Sequence, residues 1–308
     1  MYLGIDFLIN KNNLPYILEV NIGLPGGAFE YDLAFRTIHH KPSAVYDLIE
    51  NIAQSKYQKG FRDYIHSLDY KNELTAFKLW IDGAGPFPEK YSPILRLEDK
   101  WVQYQLLLNN SFSLPYTEPH NPHDKNQVSR LLERFGRIVI KPQFGRHGKG
   151  IKIIDSINSF PSEEATKMPF MLQEYIESSV KDYHYSIRGV SFEGEFICLI
   201  GYIVRGDISY DGSAIFIEPG ENTVLQDREF KTIYYPDKAW EGDIWFEGKI
   251  PEHLKENLIG ERVAEAILYL PELTINEIKK ISRRIGRLYM NINPEKLQKA
   301  WFEEGDNL

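Results

Sequence analysis

The sequence predicts a mixed α+β fold, and three features of its patterning predict it. Apolar residues recur with period two in some stretches and with a helical period in others. The two kinds of stretch do not alternate strictly, which favours α+β over a doubly wound parallel sheet. The length of 308 residues allows two or three lobes, at about 100–200 residues per domain.

Taken in order, YLGIDFLI (2–9) and LPYILEVN (14–21) read as two strands joined by an Asn/Lys turn. Residues 43–56 read as a helix that Ser43 can cap, with Val45, Leu48, Ile49 and Ile52 as its apolar stripe. From 57 to 98 the pattern is irregular, and the prolines of DGAGPFPEKYSP (82–93) mark a connector. Residues 99–110 and 126–135 read as helices, RIVIKP (137–142) as a short strand, and IKIID (151–155) as its hairpin partner. FMLQEYI (170–176), YHYSIRGV (183–190) and EFICLIGYIV (195–204) read as strands of one sheet. Residues 206–248 read as long loops around short strands. Helices are expected at 252–270 and 274–290, parted by Pro271, with Thr274 and Glu277 as a capping box, and a short one at 294–304.

Composition removes several function classes. A formal charge of −8 and a pI near 5.6 do not suit a protein that coats nucleic acid. No apolar run reaches the roughly 20 residues of a membrane helix, and MYLGIDFLIN lacks the basic start of a signal peptide. The single cysteine, Cys198, lies on an apolar stretch and reads as an inert core thiol. A reducing, cytoplasmic setting is the expectation.

Three segments carry chemistry. In RIVIKPQFGRHGKGI (137–151) a strand delivers Lys141 beside a loop containing Gly145, Arg146, His147, Gly148, Lys149 and Gly150. Glycines let backbone N–H groups approach phosphate and the cations offset its charge; read alone, the loop is equally a basic hairpin tip. In MLQEYIESSVKDYHYSIR (171–188) an edge strand, Gln173, Glu174, Tyr175 and Ile176, could offer its backbone to a purine, with Asp182 near a ribose; many half-buried strands share that look. In GIDFLINKNNLPYILEVNIGLPGG (4–27), Glu19 and Asn21 stand at i and i+2 on one strand face, with Asp6 reachable across the hairpin. Two carboxylates and an amide are hard oxygen donors suited to Mg²⁺.

Together these segments resemble the ATP-grasp superfamily of ATP-dependent carboxylate–amine or carboxylate–thiol ligases. VIKPQFGRHGKG, QEYI, DYHYSIR and GIDFLI with LEVNIGLPG match its lysine strand and glycine loop, its hinge, its D-x-R-like strand and its closing E-V-N hairpin. RLEDKWVQYQLL with LPYT (96–117) is similar to the segment that introduces the ATP-binding lobe, its lysine being Lys100. The resemblance implies two α+β lobes gripping ATP between them, with a small additional lobe. It also implies an acyl phosphate that an amine displaces. Lys100 and Lys141 would then hold the α/β phosphates and the loop 145–150 would close over the γ-phosphate. Gln173 to Ile176 would take the adenine, and Asp182, with His184 beside it, the ribose or a substrate group. Asp6, Glu19 and Asn21 would hold one or two Mg²⁺ ions, Mn²⁺ being an allowed substitute. Arg205 would stabilise the acyl phosphate, with Lys141 and Arg188 completing the catalytic set.

The order departs from the family, since the E-V-N hairpin, which closes the fold there, comes first here. A circularly permuted chain explains this; completion of a neighbour's site by domain swapping, or a fused fragment, are the alternatives. The expected division is 1–44, the metal hairpin; 45–98, a small substrate lobe; 99–172, the ATP-binding lobe; and 173–308, the second ATP-grasp lobe with terminal helices. Small-molecule or peptide carboxylates and amines are the implied partners, with neither nucleic acid nor membrane, and a homodimer is allowed. A catalytically silent nucleotide-binding regulatory protein and a small-molecule kinase are the alternative functions.

Overall fold

Asn10 shapes the first turn of the chain. Its side-chain oxygen accepts from the N–H groups of Asn12 and Leu14, at 2.9 and 3.0 Å. Asn13 follows with a φ of 61°, a left-handed conformation that asparagine tolerates. The turn joins β1 (Tyr2–Ile9) to β2 (Pro15–Ile22). The computed structural model describes residues 1–23, 26–124, 126–145, 148–160, 169–205, 212–227, 233–234 and 262–303. Chain contacts divide it into two units: Met1–Pro15, Val20–Leu68 and Ser178–Ile292 form the first, and Tyr16–Glu19, Asp69–Glu177 and Asn293–Leu308 the second.

The first unit is built on the larger sheet. β1 pairs antiparallel with β8 (Tyr183–Phe192), which turns at Glu193 and Gly194 into β9 (Glu195–Arg205). Both turn residues have positive φ, as the tight hairpin turn that matches strand twist requires. β10 (Ser213–Gly220), β11 (Val224–Asp227) and β13 (Arg262–Pro271) extend the sheet, in the order β11-β13-β10-β9-β8-β1-β2. Two short strands, β7 (Ser179–Val180) and β12 (Ile233–Tyr234), pair with β8 and β13. β1 is an interior strand, which explains why its residues are buried on both faces.

Helices cover both faces. α1 (Ala28–His39) and α2 (Val45–Tyr57) bury Ala28, Phe29, Leu33, Val45 and Ile49 against Val190, Phe192 and Ile200, with the short α3 (Phe61–His66) beside them. The last helix, α7 (Glu272–Met290), repeats Ile275, Ile278, Ile281 and Ile285 along one stripe. It lies on the face where Gly189 points, opposite to Val190 by strand alternation. A Cβ on Gly189 would overlap Ser282 Oγ, so this glycine sets how closely α7 approaches. Phe192, fully buried, lies 5.0 Å from the Phe61 ring and 5.2 Å from that of Tyr64. Phe192→Ala is expected to cost about 3–5 kcal/mol, read as a lower urea midpoint at unchanged slope.

The second unit carries a sheet of β3 (Thr117–Pro119), β4 (Ile138–Pro142), β5 (Lys152–Ile154) and β6 (Phe170–Glu174), ordered β3-β6-β4-β5 with antiparallel pairs. α6 (Gln127–Phe135) presses Val128 and Leu131 onto Ile138, Ile140 and Leu172. α4 (Lys71–Ile81) and α5 (Lys100–Asn109) complete it. Phe77 packs its ring 6.0, 6.2 and 5.2 Å from those of Phe87, Phe144 and Phe302.

The mixed α+β class is as the sequence predicts, and several elements are not. β6 does not join β8 and β9; it pairs with β3 and β4, a choice of partner that alternation within one strand does not encode. Residues 262–271 are a strand instead of the end of a helix, while 252–261 lie outside the described residues. AEAILYL has helix-forming composition, but pairing between β10 and β11 overrides it. α7 starts directly after Pro271, and Thr274 sits within its first turn, donating its hydroxyl to the Asn13 carbonyl at 2.9 Å instead of capping. Near the C-terminus, Pro294–Lys296 and Trp301–Glu303 are single 3₁₀ turns, not an α-helix. Of the expected loops at 206–248, residues 213–220 and 224–227 are strands and most of the rest lies outside the described residues.

Candidate functional site

Lys141 extends from β4 and is buried, 4 % exposed. A buried ammonium needs acceptors and a countercharge. β2 supplies both: the Leu18 carbonyl accepts from Lys141 Nζ at 3.1 Å, and Glu19 Oε2 lies 3.2 Å away. Lys100, the first residue of α5, brings its Nζ to 3.6 Å from the same Glu19 oxygen and donates to the Gly145 carbonyl at 2.5 Å. Lysines from a helix start and a strand end thus converge on one carboxylate.

Asp99 fixes the start of α5. Its carboxylate accepts from the N–H groups of Trp101, Val102 and Trp301 and from the Gln143 amide, at 2.8–3.3 Å. The Gln143 carbonyl in turn accepts from the Lys100 N–H at 3.1 Å, so the cap ties α5 to the end of β4. Burial pushes the Asp99 carboxyl above its ordinary 3.8, against those hydrogen bonds. A carboxyl raised in the folded state contributes stability below its unfolded value and loses it as pH rises through the folded value. Asp99→Asn removes that titration. The stability of the wild type relative to this variant should therefore fall as pH rises from about 4, the ordinary carboxylate value, as denaturation at stepped pH would measure.

Beside Lys100, a narrow cleft is lined by Leu18, Tyr104, Leu107, Leu114, Met171 and Gln173. The Gln173 amide donates to Thr117 Oγ1 at 2.9 Å. Glu174 is tied to Tyr116 through its N–H at 2.7 Å and its carboxylate at 3.1 Å. The Tyr175 ring lies 4.1 Å from the Arg137 guanidinium, and Ile176 is buried. Gly148, Lys149 and Gly150 form an exposed turn between β4 and β5; Arg146 and His147 lie outside the described residues. Gly150 has a φ of 78°, and a Cβ there would stand 2.8 Å from Pro142 Cγ, so the turn needs a glycine.

In the first unit, Asp6 on β1 faces Arg188 on β8 in register. The guanidinium donates to both Asp6 oxygens, Nε at 2.7 Å and Nη2 at 2.9 Å, while Asn21 Nδ2 donates to Asp6 at 3.0 Å. Arg188 Nη1 also donates to the Gly26 carbonyl at 3.3 Å. Burial alone would lower the Arg188 pKa, but Asp6, with Tyr202 and Glu30, holds it well above its ordinary value. Glu30, buried in the first turn of α1, accepts from the Gly27 N–H at 2.5 Å and from the Tyr202 hydroxyl at 3.4 Å. Burial pushes its carboxyl up.

The expected residues therefore fall into three groups. Glu19, Lys100, Lys141 and Gly145 meet in the second unit, and Asp6, Asn21 and Arg188 meet in the first. Asp182 and Arg205 pair with each other at 2.6 Å, both exposed, where Tyr183 opposes Arg205. His184 lies beside them on β8. Arg188 is five positions further along β8, roughly 16 Å at strand rise. Leu18, Leu114, Met171, Tyr104 and the bracing pair Asp99–Gln143 were not expected. Only Asp99, an acid just before a helical pattern, carries a sequence signal for its place.

Among the described residues no group of three His, Cys, Asp or Glu side chains stands ready to hold a metal. Asp6 and Asn21 meet in the first unit, where Asn21 turns its Nδ2 toward Asp6, and Glu19 belongs to the second. Oxygen donors of this kind suit Mg²⁺. No helix among the described residues is long and apolar enough to cross a membrane.

Comparison with known proteins gives three kinds of similarity. A stretch of 136 residues is 32% identical to the uncharacterized protein MJ0776 of Methanocaldococcus jannaschii, covering 44% of this chain and 31% of that protein. The chain thus spans about a third of the length of this curated relative. Among solved structures, the ATP-grasp ligase PsnB, complexed with a phosphomimetic variant of a minimal precursor, Mg and ADP, is 17% identical. That match covers 51% of this chain and 52% of PsnB, with a TM-score of 0.28. A chain assigned as a gamma-glutamylcysteine synthetase from Methylobacillus flagellatus KT is 11% identical over 67% of this chain and 76% of that one, with a TM-score of 0.35. Residues 97–215 match the ATP-grasp domain. Through this segment, which bears Lys100, Lys141, Gly145 and Gln173, the chain is similar to the ATP-grasp superfamily.

Proposed function

We propose that this protein is an ATP- and Mg²⁺-dependent ligase that activates a substrate carboxylate as an acyl phosphate and joins it to an amine. The observation that carries the reading is the convergence of Lys100 and Lys141 on Glu19 beside the cleft at Gln173, within the ATP-grasp segment. In this reading the two lysines grip phosphate oxygens, and the apolar walls from Leu18, Leu114 and Met171 take the base. The backbone of Gln173 to Ile176 offers the hydrogen-bonding edge, and Gly145 with the turn at 148–150 covers the terminal phosphate.

Asp6, Glu19 and Asn21 are the proposed metal ligands, and Mg²⁺ there would neutralise charge on the phosphates. Positioning and charge neutralisation are the main demands of phosphoryl transfer. Arg205, which is exposed and would turn from Asp182, is the proposed cation for the developing acyl phosphate, with Arg188 supporting the metal hairpin through Asp6. Asp182, so released, would meet the ribose or a substrate group. The placement of β1 beside β8, and of α7 across β8 and β9, supports a permuted order of the family's elements.

The test is ADP release from ATP·Mg²⁺ across panels of carboxylic acids and amines, with hydroxylamine present in parallel. Hydroxamate formation dependent on one acid supports the acyl phosphate. Acid-dependent ADP release without hydroxamate points to a kinase. ADP binding with no turnover on any panel would favour a silent nucleotide-binding protein.

A further inference from the structure

The two lysines that the proposed function assigns to phosphate are already engaged, and by one of the proposed metal ligands. Lys141 Nζ lies 3.2 Å and Lys100 Nζ 3.6 Å from the same oxygen, Glu19 Oε2. Each lysine also donates to a backbone carbonyl: Lys141 to Leu18 at 3.1 Å, Lys100 to Gly145 at 2.5 Å. The Glu19 side chain is 25 % exposed and that of Lys141 only 5 %. The carboxylate is therefore a partly accessible countercharge to a buried ammonium. An oxyanion between two ammonium groups is also the arrangement that a nucleotide phosphate would make.

We infer that Glu19 is an internal stand-in for phosphate, holding Lys100 and Lys141 until nucleotide and metal arrive together. This rests on the nucleotide reading above and adds a regulation of loading to it. Nucleotide alone must put phosphate oxygens beside Glu19, where like charges repel. Metal alone must draw Glu19 from both lysines and take the Glu19 charge away from the buried Lys141 ammonium. When both arrive, the charges exchange partners: phosphate takes the lysines, and Glu19 turns to the metal. Neither species loads well by itself, and each raises the affinity of the other by the same factor.

The experiment is calorimetric titration of ADP into wild type and Glu19→Gln, in EDTA and in saturating Mg²⁺, with circular dichroism to establish folding. Wild type should bind ADP·Mg²⁺ at least about tenfold more tightly than metal-free ADP. In Glu19→Gln the neutral side chain no longer competes, so metal-free ADP should bind about tenfold more tightly than to wild type, and the gain from Mg²⁺ should shrink. The reciprocal variant, Lys100→Met, loosens Glu19. It should bind Mn²⁺ without nucleotide more tightly than wild type, read by the loss of the free-ion electron paramagnetic resonance signal. Unchanged or weaker metal-free ADP binding in a folded Glu19→Gln protein overturns the inference while leaving Glu19 a metal ligand. Unchanged Mn²⁺ binding in Lys100→Met overturns it as well. Failure of wild type to bind ADP in either condition instead removes the nucleotide reading on which it rests.

Discussion

Replacing Glu19 by glutamine is expected to lower Mg²⁺-dependent ATP turnover by on the order of a hundredfold or more. The substitution keeps volume and removes the charge that pairs with Lys100 and Lys141 and that the proposed metal requires. It also takes the Glu19 charge away from the Lys141 ammonium, which is 4 % exposed and keeps the Leu18 carbonyl. A moderate loss of stability should therefore accompany the loss of turnover, and ADP should restore part of it by binding the folded state. Steady-state ADP release and thermal unfolding with and without ADP measure the two effects. Turnover at the wild-type rate in the glutamine variant would remove Glu19 from the proposed site.

Arg188→Met is expected to lower stability by breaking a paired charge. The side chains of Arg188 and Asp6 are 20 % and 15 % exposed, and their two parallel hydrogen bonds join β8 to β1, two interior strands of the larger sheet. Removing the guanidinium strands a partly buried carboxylate that keeps only the Asn21 amide. Breaking such a pair costs about 3 kcal/mol, the lower end of the range because both groups retain some water. The double variant Asp6→Asn with Arg188→Met should be more stable than Arg188→Met alone, since the stranded charge is then gone. Urea denaturation of the four proteins closes this cycle. A double variant no more stable than the single one would show that Arg188 acts by packing on Tyr202 and not through Asp6.

Legibility followed the range over which each feature is encoded. The hairpin turn was readable because Asn10 and Asn13 shape it within a few residues. The strand carrying Lys141 and its glycine turn was readable for the same reason, as Gly150 answers to a backbone angle and to Pro142 close by. Residues 57–98 were opaque. α4 is held by Phe77 against Phe144 and Phe302, so its pattern makes sense only beside rings distant in sequence. β13 was misread because Ala, Glu and Leu favour helix until a sheet edge offers partners on both sides.

The sequence by itself determined the residue types of the chemistry: carboxylates and an amide on one hairpin, a lysine strand with a glycine turn, a second lysine at a helix start. These are local patterns, set by turn geometry and by alternation along a strand. Tertiary structure alone decided which of them meet. It placed Glu19 against Lys100 and Lys141, more than eighty residues away, and Asp6 against Arg188. It turned Arg205 onto Asp182. It also sent β6 to the smaller sheet and not to β8 and β9. The physical reason is that a charge finds its partner, and a strand its neighbour, through space. Alternation and composition state what a segment can pair with, and only the packed chain settles what it does pair with.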